Sequence, residues 1–281
     1  MIKTTGSFAG LTRHKQIAKV FFTLIQWFEE GFLADDIKIR ECTTLNEMAA
    51  CVDLQREVFA LPAIELSPVR HFVVTKNAGG FILGAFSGGE LIGFVLSVPA
   101  FLRGERAFYS HMTAVRADFQ SHGVGAKLKW TQRLRALELG VKYVKWTFEP
   151  WKARNAYFNL EKLGAIVSEY QPNFYGTDYS TGAQTGNKIG LASDRLFAEW
   201  HLESPKVLDL AASEQFVETR EATATVQIMN DWLALVESDP EKAKSEQLRI
   251  REEFKTAFGF GMVCRGFYRD DTQPAFLLYK D

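Results

Sequence analysis

The amino-acid sequence predicts an α/β (α+β) fold, and two stretches of the chain carry this prediction. Residues 81–86 and 91–98 are rich in strand-forming residues and enclose a Ser-Gly-Gly-Glu turn, whose glycines supply the positive φ angles of a tight hairpin. In residues 107–138 the hydrophobic period changes from two to about 3.6 near Gly125, so a strand leads into an amphipathic helix. Together they indicate a sheet flanked by helices.

The other elements of the main body follow from local helix and strand signals. Thr44 and Glu47 form a capping box for a helix that ends at Phe59. Pro150 stops a strand, and Gly164 stops a helix. The predicted helices are 44–59, 67–76 and 155–163, and the remaining predicted strands are 37–42, 143–148, 166–170 and 196–202.

Composition and element order divide the chain into three parts. Residues 1–34 are a helical extension, residues 35–204 form the main body, and residues 205–281 form a C-terminal α/β lobe. No Pro/Gly/Ser-rich linker precedes the lobe, so we expect the lobe to pack on the body. Its predicted elements are helices at 221–237 and 241–258 and strands at 260–267 and 275–279.

An apolar run near the N-terminus, residues 15–28, has two interpretations. Lys15 and Lys19 interrupt it, and it is shorter than the about 20 apolar residues that span a bilayer. Its apolar residues fall on one helical face, which favours a helix docked on the body or on a second subunit of a homodimer. A membrane-surface anchor is the alternative.

Charge and cysteine content limit the partners and the compartment. The chain has 33 Lys and Arg against 34 Asp and Glu, so its net charge of −1 gives no global basic field for nucleic acid or an anionic membrane. Cys42, Cys51 and Cys264 are widely spaced, without a Cys-x-x-Cys pair. We therefore expect a cytoplasmic protein with three reduced thiols, no membrane span and no metal.

The turn between the strand and the helix, residues 120–125, is a predicted anion site. A glycine-bearing turn at a helix start presents unpaired N–H groups and the positive end of the helix dipole, which suit a phosphate or pyrophosphate. A P-loop cannot be laid over this turn. The dinucleotide fingerprint of a nicotinamide oxidoreductase fails at its third glycine, where Leu128 stands.

The turn carries a third phosphate-binding motif in full. Gln120-x-x-Gly123-x-Gly125-Ala126 resembles the Gln/Arg-x-x-Gly-x-Gly/Ala signature of the GNAT superfamily of acyl-CoA N-acyltransferases. The resemblance implies a mixed, mostly antiparallel sheet that is splayed around an acyl-CoA cleft and flanked by helices.

Further segments extend the resemblance, whose general superfamily features cover roughly residues 37–202. Residues 155–164 resemble the superfamily's second CoA-contacting segment. The Pro-Asn-Phe-Tyr-Gly of 172–176, the Ser-Asp-Arg-Leu of 193–196 and the C-terminal lobe resemble a branch of the superfamily, some of whose members are associated with the N-acylation of amino acids.

The resemblance implies an acyl-CoA site on the signature strand and turn. Backbone groups of residues 112–115 would pair with the pantetheine amides, and the amides of residues 121–126 would hold the pyrophosphate. The donor would be acetyl-CoA or another acyl-CoA, succinyl-CoA included. The implied donor-binding residues are Met112, Thr113, Val115, Gln120, Ser121, His122, Gly123, Val124, Gly125, Ala126, Asn155 and Phe158.

An amine acceptor must lose a proton before it attacks, so a base must lie within direct or one-water reach. Glu149, which follows the strand 143–148, and His111, in the signature strand, are the candidates; a salt-bridged carboxylate and a hydrogen-bonded core histidine are the structural alternatives. Many superfamily members place a tyrosine at the position of Leu160 to protonate the departing thiolate. Tyr157 could substitute as the acid, or pack on the sheet while water supplies the proton.

The acceptor site is predicted from two residues that flank a loop over the cleft mouth, Tyr175 and Arg195. Arg195 offers a planar fork for a carboxylate, which favours an amino-acid acceptor if the side chain faces the cleft. If Arg195 pairs with Asp178, Asp194 or Glu199, its role is structural.

These features predict an N-acyltransferase that moves an acetyl or succinyl group from acyl-CoA to a small-molecule amine, an amino acid included. Direct transfer through a ternary complex is expected, because no cysteine lies in a motif that would form an acyl-enzyme. The alternative is a non-catalytic acyl-CoA sensor or assembly module, which Leu160 at the acid position and the terminal segments motivate.

Overall fold

The computed structural model describes residues 37–179 and 189–280. The predicted N-terminal extension, residues 1–34, and its apolar helix at 15–28 lie outside the described residues, as does part of the predicted loop after Pro172. Within the described part of the chain, no helix has the length and apolarity to cross a membrane.

The described residues form one mixed sheet. Its strands are β1 Lys38–Glu41, β2 Phe81–Ser87, β3 Glu90–Leu102, β4 Glu105–Val115, β5 Tyr143–Phe148, β6 Ile166–Gln171, β7 Arg195–His201, β8 Ala224–Gln227, β9 Met262–Tyr268 and β10 Ala275–Lys280. Their order across the sheet is β1-β2-β3-β4-β5-β7-β6-β9-β10-β8. Neighbours are antiparallel except for β4 and β5, which are parallel. The predicted fold class is confirmed.

Helices cover both faces of this sheet. They are α1 Leu45–Phe59, α2 Val69–Asn77, α3 Val124–Glu138, α4 Ala153–Tyr157 with a π-helical turn at Phe158–Lys162, α5 Pro205–Ala211, α6 Trp232–Ser238 and α7 Pro240–Gly259. Strand β2 illustrates that both faces of the sheet are buried, because successive side chains of a strand point to opposite faces. Ile82 belongs to the same buried cluster as Phe72 of α2, whereas Phe81 and Leu83 belong to the cluster of Leu128 in α3.

The capping box predicted at the start of α1 is present. The Glu47 backbone N–H donates to Thr44 Oγ1 at 3.2 Å, and the Thr44 backbone N–H donates to Glu47 Oε2 at 3.0 Å. The hydrogen bond from the Thr44 backbone is the main reason that the pKa of Glu47 falls to about 2. The helix therefore begins where the sequence predicts, and it covers the β1–β4 side of the sheet.

The C-terminal lobe continues the sheet. Strand β9 pairs with β6 through Cys264 and Val167, and β10 joins β9 to β8. The predicted helix at 221–237 is wrong in its first half, where Ala224–Gln227 forms β8. Its β-branched Thr225 and Val226 suit pairing with β10. The domain boundary at residue 204 stays a prediction.

Candidate active site

The parallel strands β4 and β5 separate soon after they pair. Within the described residues their pairing consists of Phe108 with Val144 and Tyr109 with Lys145. Strand β4 then runs on to Val115, so a wedge opens between the C-terminal parts of the two strands. In this wedge no strand that the structure describes pairs with the edge of β4 that faces β5, which leaves backbone N–H and C=O groups for an extended ligand.

A β-bulge places His111 in the wedge. Leu96 pairs with Met112 and Ser97 pairs with Ser110, so His111 is the extra residue of β4.

The surroundings of His111 keep its imidazole neutral. Its Nε2 lies 3.3 Å from Ser67 Oγ, and its ring centroid lies 5.4 Å from that of His71. Burial, and to a lesser extent His71, lower the pKa of His111 to about 4. At pH 7 the ring therefore carries no charge and can accept a proton.

Among the described residues, nothing blocks the turn after β4. Gly123 has a φ of +77° and precedes the first residue of α3, and no described side chain caps this helix start. A Cβ added to Gly123 would meet no atom of the described residues within 4 Å, so these residues leave the space over the turn to a ligand. Gln120 Nε2 donates to the Val115 carbonyl oxygen at 2.9 Å and ties the turn to the end of β4. These features fit a pyrophosphate.

Arg154 adds a positive charge to the turn, and the sequence prediction did not include it. Its Nη2 donates to Ser121 Oγ at 3.2 Å from the first turn of α4. The residue stands next to the predicted donor-binding residue Asn155, and that adjacency was the available signal. Arginine suits a phosphate because its planar N–H fork can bond two oxygen atoms.

All the predicted site residues line one cleft, which follows the wedge from the glycine turn to the acceptor loop. Their roles stay predictions. The predicted residues in its lining are Met112, Thr113, Val115, Gln120, Ser121, His122, Gly123, Val124, Gly125, Ala126, Asn155 and Phe158 for the donor, Glu149, His111 and Tyr157 for catalysis, and Tyr175 and Arg195 for the acceptor.

Glu149 lies directly after β5, on the wall of the cleft opposite His111. Its carboxylate is largely buried and forms an ion pair with Lys152, whose Nζ lies 2.7 Å from Glu149 Oε2. The two predicted bases thus differ in kind, since one is a neutral ring and the other is a paired carboxylate.

Leu160 is fully buried in the π-helical turn. The position where the predicted acid would stand is therefore filled by an apolar side chain of the core. Tyr157 is half-buried and lines the cleft. Two cations flank its ring: Lys162 Nζ and Arg269 Cζ each lie 5.5 Å from the ring centroid. Arg269 comes from the C-terminal lobe, which the sequence prediction did not assign to the cleft.

Hydroxyl groups connect the two walls of the cleft at its acceptor end. Tyr109 Oη donates to Thr147 Oγ1 at 3.4 Å, and Thr147 Oγ1 lies 3.4 Å from Tyr175 Oη. Burial raises the pKa of Tyr109, so its phenol stays protonated. The predicted acceptor residue Tyr175 is therefore anchored to β5 and, through Thr147, to β4.

Arg195 is buried at this end of the cleft and lies against Tyr175. Its Cζ is 5.1 Å from the Tyr175 ring centroid, and its Nη1 donates to the backbone carbonyl of Asp194 at 2.9 Å.

The three carboxylates considered as structural partners of Arg195 each have other contacts. Asp194 pairs with Arg251, and Glu199 pairs with Arg103. Asp178 Oδ1 accepts hydrogen bonds from the backbone N–H groups of 189, 190 and 191.

A buried lysine spans the point where the strands separate. Lys129 Nζ donates to Ser110 Oγ of β4 at 3.0 Å and lies 3.9 Å from the ring centroid of Trp146 in β5. It also donates to Gln132 Oε1 at 2.7 Å. Burial lowers the pKa of Lys129 well below its usual range. The sequence prediction assigned apolar positions of α3 to its buried face and missed this polar cluster.

The bulged strand, the uncapped turn and the wedge are the features that the predicted acyl-CoA site requires. Residues 48–165 match the Acetyltransferase (GNAT) family. This segment of the chain is a GNAT acetyltransferase domain, and the resemblance that the sequence predicted is confirmed over these residues. No curated protein matches the sequence.

Several solved structures are similar to part of the chain. A GNAT family acetyltransferase from Elizabethkingia anophelis with acetyl-CoA bound is 18% identical, over 60% of this chain and 99% of that one, with a TM-score of 0.43. An N-acetyltransferase from Staphylococcus aureus Mu50 is 14% identical, over 60% and 100%, with a TM-score of 0.47. The ribosomal-protein-S18-alanine N-acetyltransferase from Escherichia coli is 17% identical, over 58% and 92%, with a TM-score of 0.45. The assignment of the GNAT domain rests on the match over residues 48–165 and not on these structures.

Proposed function

We propose that this protein transfers an acyl group from acyl-CoA directly to the amine of a small acceptor that carries a carboxylate. The observation that carries the proposal is the wedge between β4 and β5, which joins the uncapped start of α3 at one end to His111, Tyr175 and Arg195 at the other. Donor and acceptor can therefore occupy one cleft together, as direct transfer requires.

The donor would lie along the unpaired edge of β4. From Val115 back to Ser110 the strand spans about 17 Å at about 3.3 Å per residue, which suits an extended pantetheine arm. The pyrophosphate would meet the amides of residues 121–126, with Arg154 beside them. This placement brings the acyl carbonyl close to the bulge at His111.

The chemistry needs two proton transfers. The amine lone pair attacks the thioester carbon, and the amine proton passes to His111 or Glu149. The C–S bond then breaks with its electron pair on sulfur, and the thiolate takes a proton from Tyr157 or from water. The low pKa of His111 makes it a weak proton acceptor, whereas the carboxylate of Glu149 is held in an ion pair with Lys152.

The acceptor class follows from Arg195 and Tyr175. A buried guanidinium at the end of the cleft suits a carboxylate, and the Tyr175 hydroxyl can hydrogen-bond to the same group. An amino acid carries both the amine and the carboxylate that these residues require. The acyl group is acetyl or, as an alternative, succinyl.

The test is CoA release by the full chain with acetyl-CoA and succinyl-CoA as donors. Acceptors are offered in matched pairs, each amino acid beside the amine that lacks its carboxylate. We expect kcat/KM to be at least about tenfold higher for the amino acid, because one charge-assisted hydrogen bond contributes about 1.5–3 kcal/mol. Equal rates for the two members of each pair would reject the acceptor class, and no acyl-CoA binding at millimolar concentration would reject the whole proposal.

Two substitutions identify the base. We expect either Glu149→Gln or His111→Gln, but not both, to lower kcat by about 100-fold or more, because general base catalysis contributes on that scale. Glu57→Gln, at an exposed position outside the cleft lining, serves as the control. Unchanged kcat in both variants would show that neither group is the base.

A second candidate function is a non-catalytic acyl-CoA-binding module. The observation in its favour is Leu160, which fills the acid position with a fully buried apolar side chain. This function predicts that acyl-CoA raises the unfolding temperature but that no acceptor stimulates CoA release. Acceptor-dependent release that is lost in one of the base variants would exclude it.

A further inference from the structure

The carboxylate of Asp194 is buried against the C-terminal lobe. Arg251 of α7 donates to it twice, from Nε to Oδ2 at 2.9 Å and from Nη2 to Oδ1 at 3.0 Å. Tyr170 Oη donates to Oδ2 at 2.6 Å, and the Asn173 backbone N–H donates to Oδ1 at 2.9 Å. Four hydrogen bonds therefore fix the direction of this fully buried side chain.

Arg195 is the next residue, and it points the other way. Successive side chains of an extended chain face opposite sides, so a contact that holds Asp194 toward α7 also turns Arg195 toward the cleft. The Arg195 guanidinium lies in the cleft lining beside the Tyr175 ring. The ion pair between Arg251 and Asp194 on one side of the sheet therefore determines the direction of Arg195, a predicted acceptor-binding residue, on the other side.

The same helix holds the chain at a second point. Gln247, one turn before Arg251, donates from Nε2 to the Ala192 carbonyl oxygen at 2.7 Å. Its Oε1 accepts from the Ala192 backbone N–H at 3.2 Å. Gln247 is buried, and neither Gln247 nor Arg251 lines the cleft. Both residues act on the site through the segment 192–194.

The segment that α7 holds in turn orders the acceptor loop. The Tyr175 backbone N–H donates to Ser193 Oγ at 2.7 Å, and the Phe174 backbone N–H donates to the Ser193 carbonyl oxygen at 3.1 Å. Tyr175 then reaches Thr147 across the cleft. A continuous set of contacts thus leads from α7 to the cleft wall.

We propose that Arg251 is a positioning residue for the acceptor, because through Asp194 it sets the directions of Arg195 and Tyr175 in the cleft. By this route the C-terminal lobe determines which acceptor is bound, while the glycine turn binds acyl-CoA independently. The inference rests on the proposed function, since it takes Arg195 and Tyr175 as the acceptor site.

The experiment compares Arg251→Met and Arg251→Lys with a control on the same helix, Arg249→Met. Arg249 pairs with Glu246 and Glu253 near the surface. We expect Arg251→Met to raise the acceptor KM by about tenfold or more, to lower the preference for amines with a carboxylate, and to leave the acyl-CoA KM within about twofold. Arg251→Lys keeps the charge but not the paired N–H donors, so we expect its acceptor KM to lie between those of the wild type and Arg251→Met. This variant also tests the inference if the Met variant does not fold.

Hydrogen exchange gives a second readout that does not depend on the acceptor. Peptides from 172–178 and 191–195 should exchange faster in Arg251→Met, while the turn 120–126 exchanges as in the wild type. Equal changes in both KM values, or unchanged exchange in the acceptor loop, would overturn the inference. A wild type that lacks the carboxylate preference but whose loop still responds to Arg251→Met would reject the proposed acceptor instead.

Discussion

The two ends of the cleft are built by different means. The proposed donor end comes from one contiguous stretch, in which strand β4, the glycine turn and the start of α3 offer backbone groups to a ligand. The proposed acceptor end comes from side chains that converge from distant segments, and Arg251 lies 57 residues from the Asp194 with which it pairs. A backbone site needs only the correct local conformation, whereas a side-chain site needs tertiary contacts that aim each group.

This difference predicts different sensitivities to substitution. At the donor end most side chains can change as long as the turn keeps its shape. At the acceptor end single side chains supply the recognition, so one substitution can change the preferred acceptor.

The donor end should fail when its turn loses a glycine. Gly123→Val places a β-branched side chain at a φ of +77° and in the space over the turn, so we expect acyl-CoA binding to weaken by about 100-fold. Calorimetric titration with acetyl-CoA measures this. Gly104→Val is the matched control, because its φ is +84° and its Cβ also meets no atom within 4 Å. If both variants weaken binding equally, general strain is responsible and not the turn.

The acceptor end should fail when its charge is removed. Arg195→Met eliminates the guanidinium beside Tyr175, and we expect the acceptor KM to rise by about 50-fold, because a charge-assisted pair contributes about 2–3 kcal/mol. The acyl-CoA KM should stay unchanged. Arg103→Met removes a more exposed guanidinium that pairs with Glu199 and serves as the control. An acyl-CoA KM that rises along with the acceptor KM would contradict the separation of the two ends.

His111 lies between the two ends, and its titration should affect folding. Its pKa of about 4 in the folded chain is below its ordinary value of 6.5, so between these pH values the unfolded chain binds more protons. Stability is therefore fully present above pH 6.5 and falls as the pH drops toward 4.

The variant His111→Gln removes this dependence. We expect its free energy of unfolding to fall by about 3 kcal/mol less than that of the wild type between pH 7 and 4. Urea unfolding across this pH range measures the difference. The exposed His122→Gln should follow the wild-type curve. Parallel curves for His111→Gln and the wild type would show that His111 is not buried in its neutral form.

Substitution of Tyr157 tests whether a side chain at the donor end contributes to kcat. A general acid contributes about 100-fold or more, but a thiolate leaves readily with water as the proton source, so we expect Tyr157→Phe to lower kcat by no more than about threefold. Steady-state rates at saturating acyl-CoA measure this, with the exposed Tyr268→Phe as the control. A 100-fold loss would make Tyr157 the acid and would end the description of this end as a backbone site.

The sequence predicts those features whose signals are local. The capping box of Thr44 and Glu47, the β2–β3 hairpin and the turn at Gly123 each depend on a few neighbouring residues, and the structure contains them all. The family signature lies in the same stretch. The local geometry of the proposed donor end could therefore be predicted from the sequence, apart from the contact of Arg154 with the turn.

The features that sequence analysis missed depend on contacts between distant segments. Thr225 and Val226 stand in a stretch with helical signals, and pairing with β10 decides their conformation. Lys129 reads as a solvated residue of α3 until Ser110 and Trp146 are placed around it. The contact between Arg251 and Asp194 has no local signal, because each residue gains its role only when the C-terminal helix meets the sheet.

The bulge at His111 also restricts how the length of β4 can change. Phe108 belongs to the buried cluster of Leu128 under α3, whereas Ala114, an even number of residues later, belongs to the cluster of Phe72 on the other face. An unbroken strand would place both side chains on one face. Deletion of a single residue here would turn the side chains in one half of the strand to the opposite face of the sheet. We therefore expect insertions and deletions to be far less tolerated in β4 than substitutions.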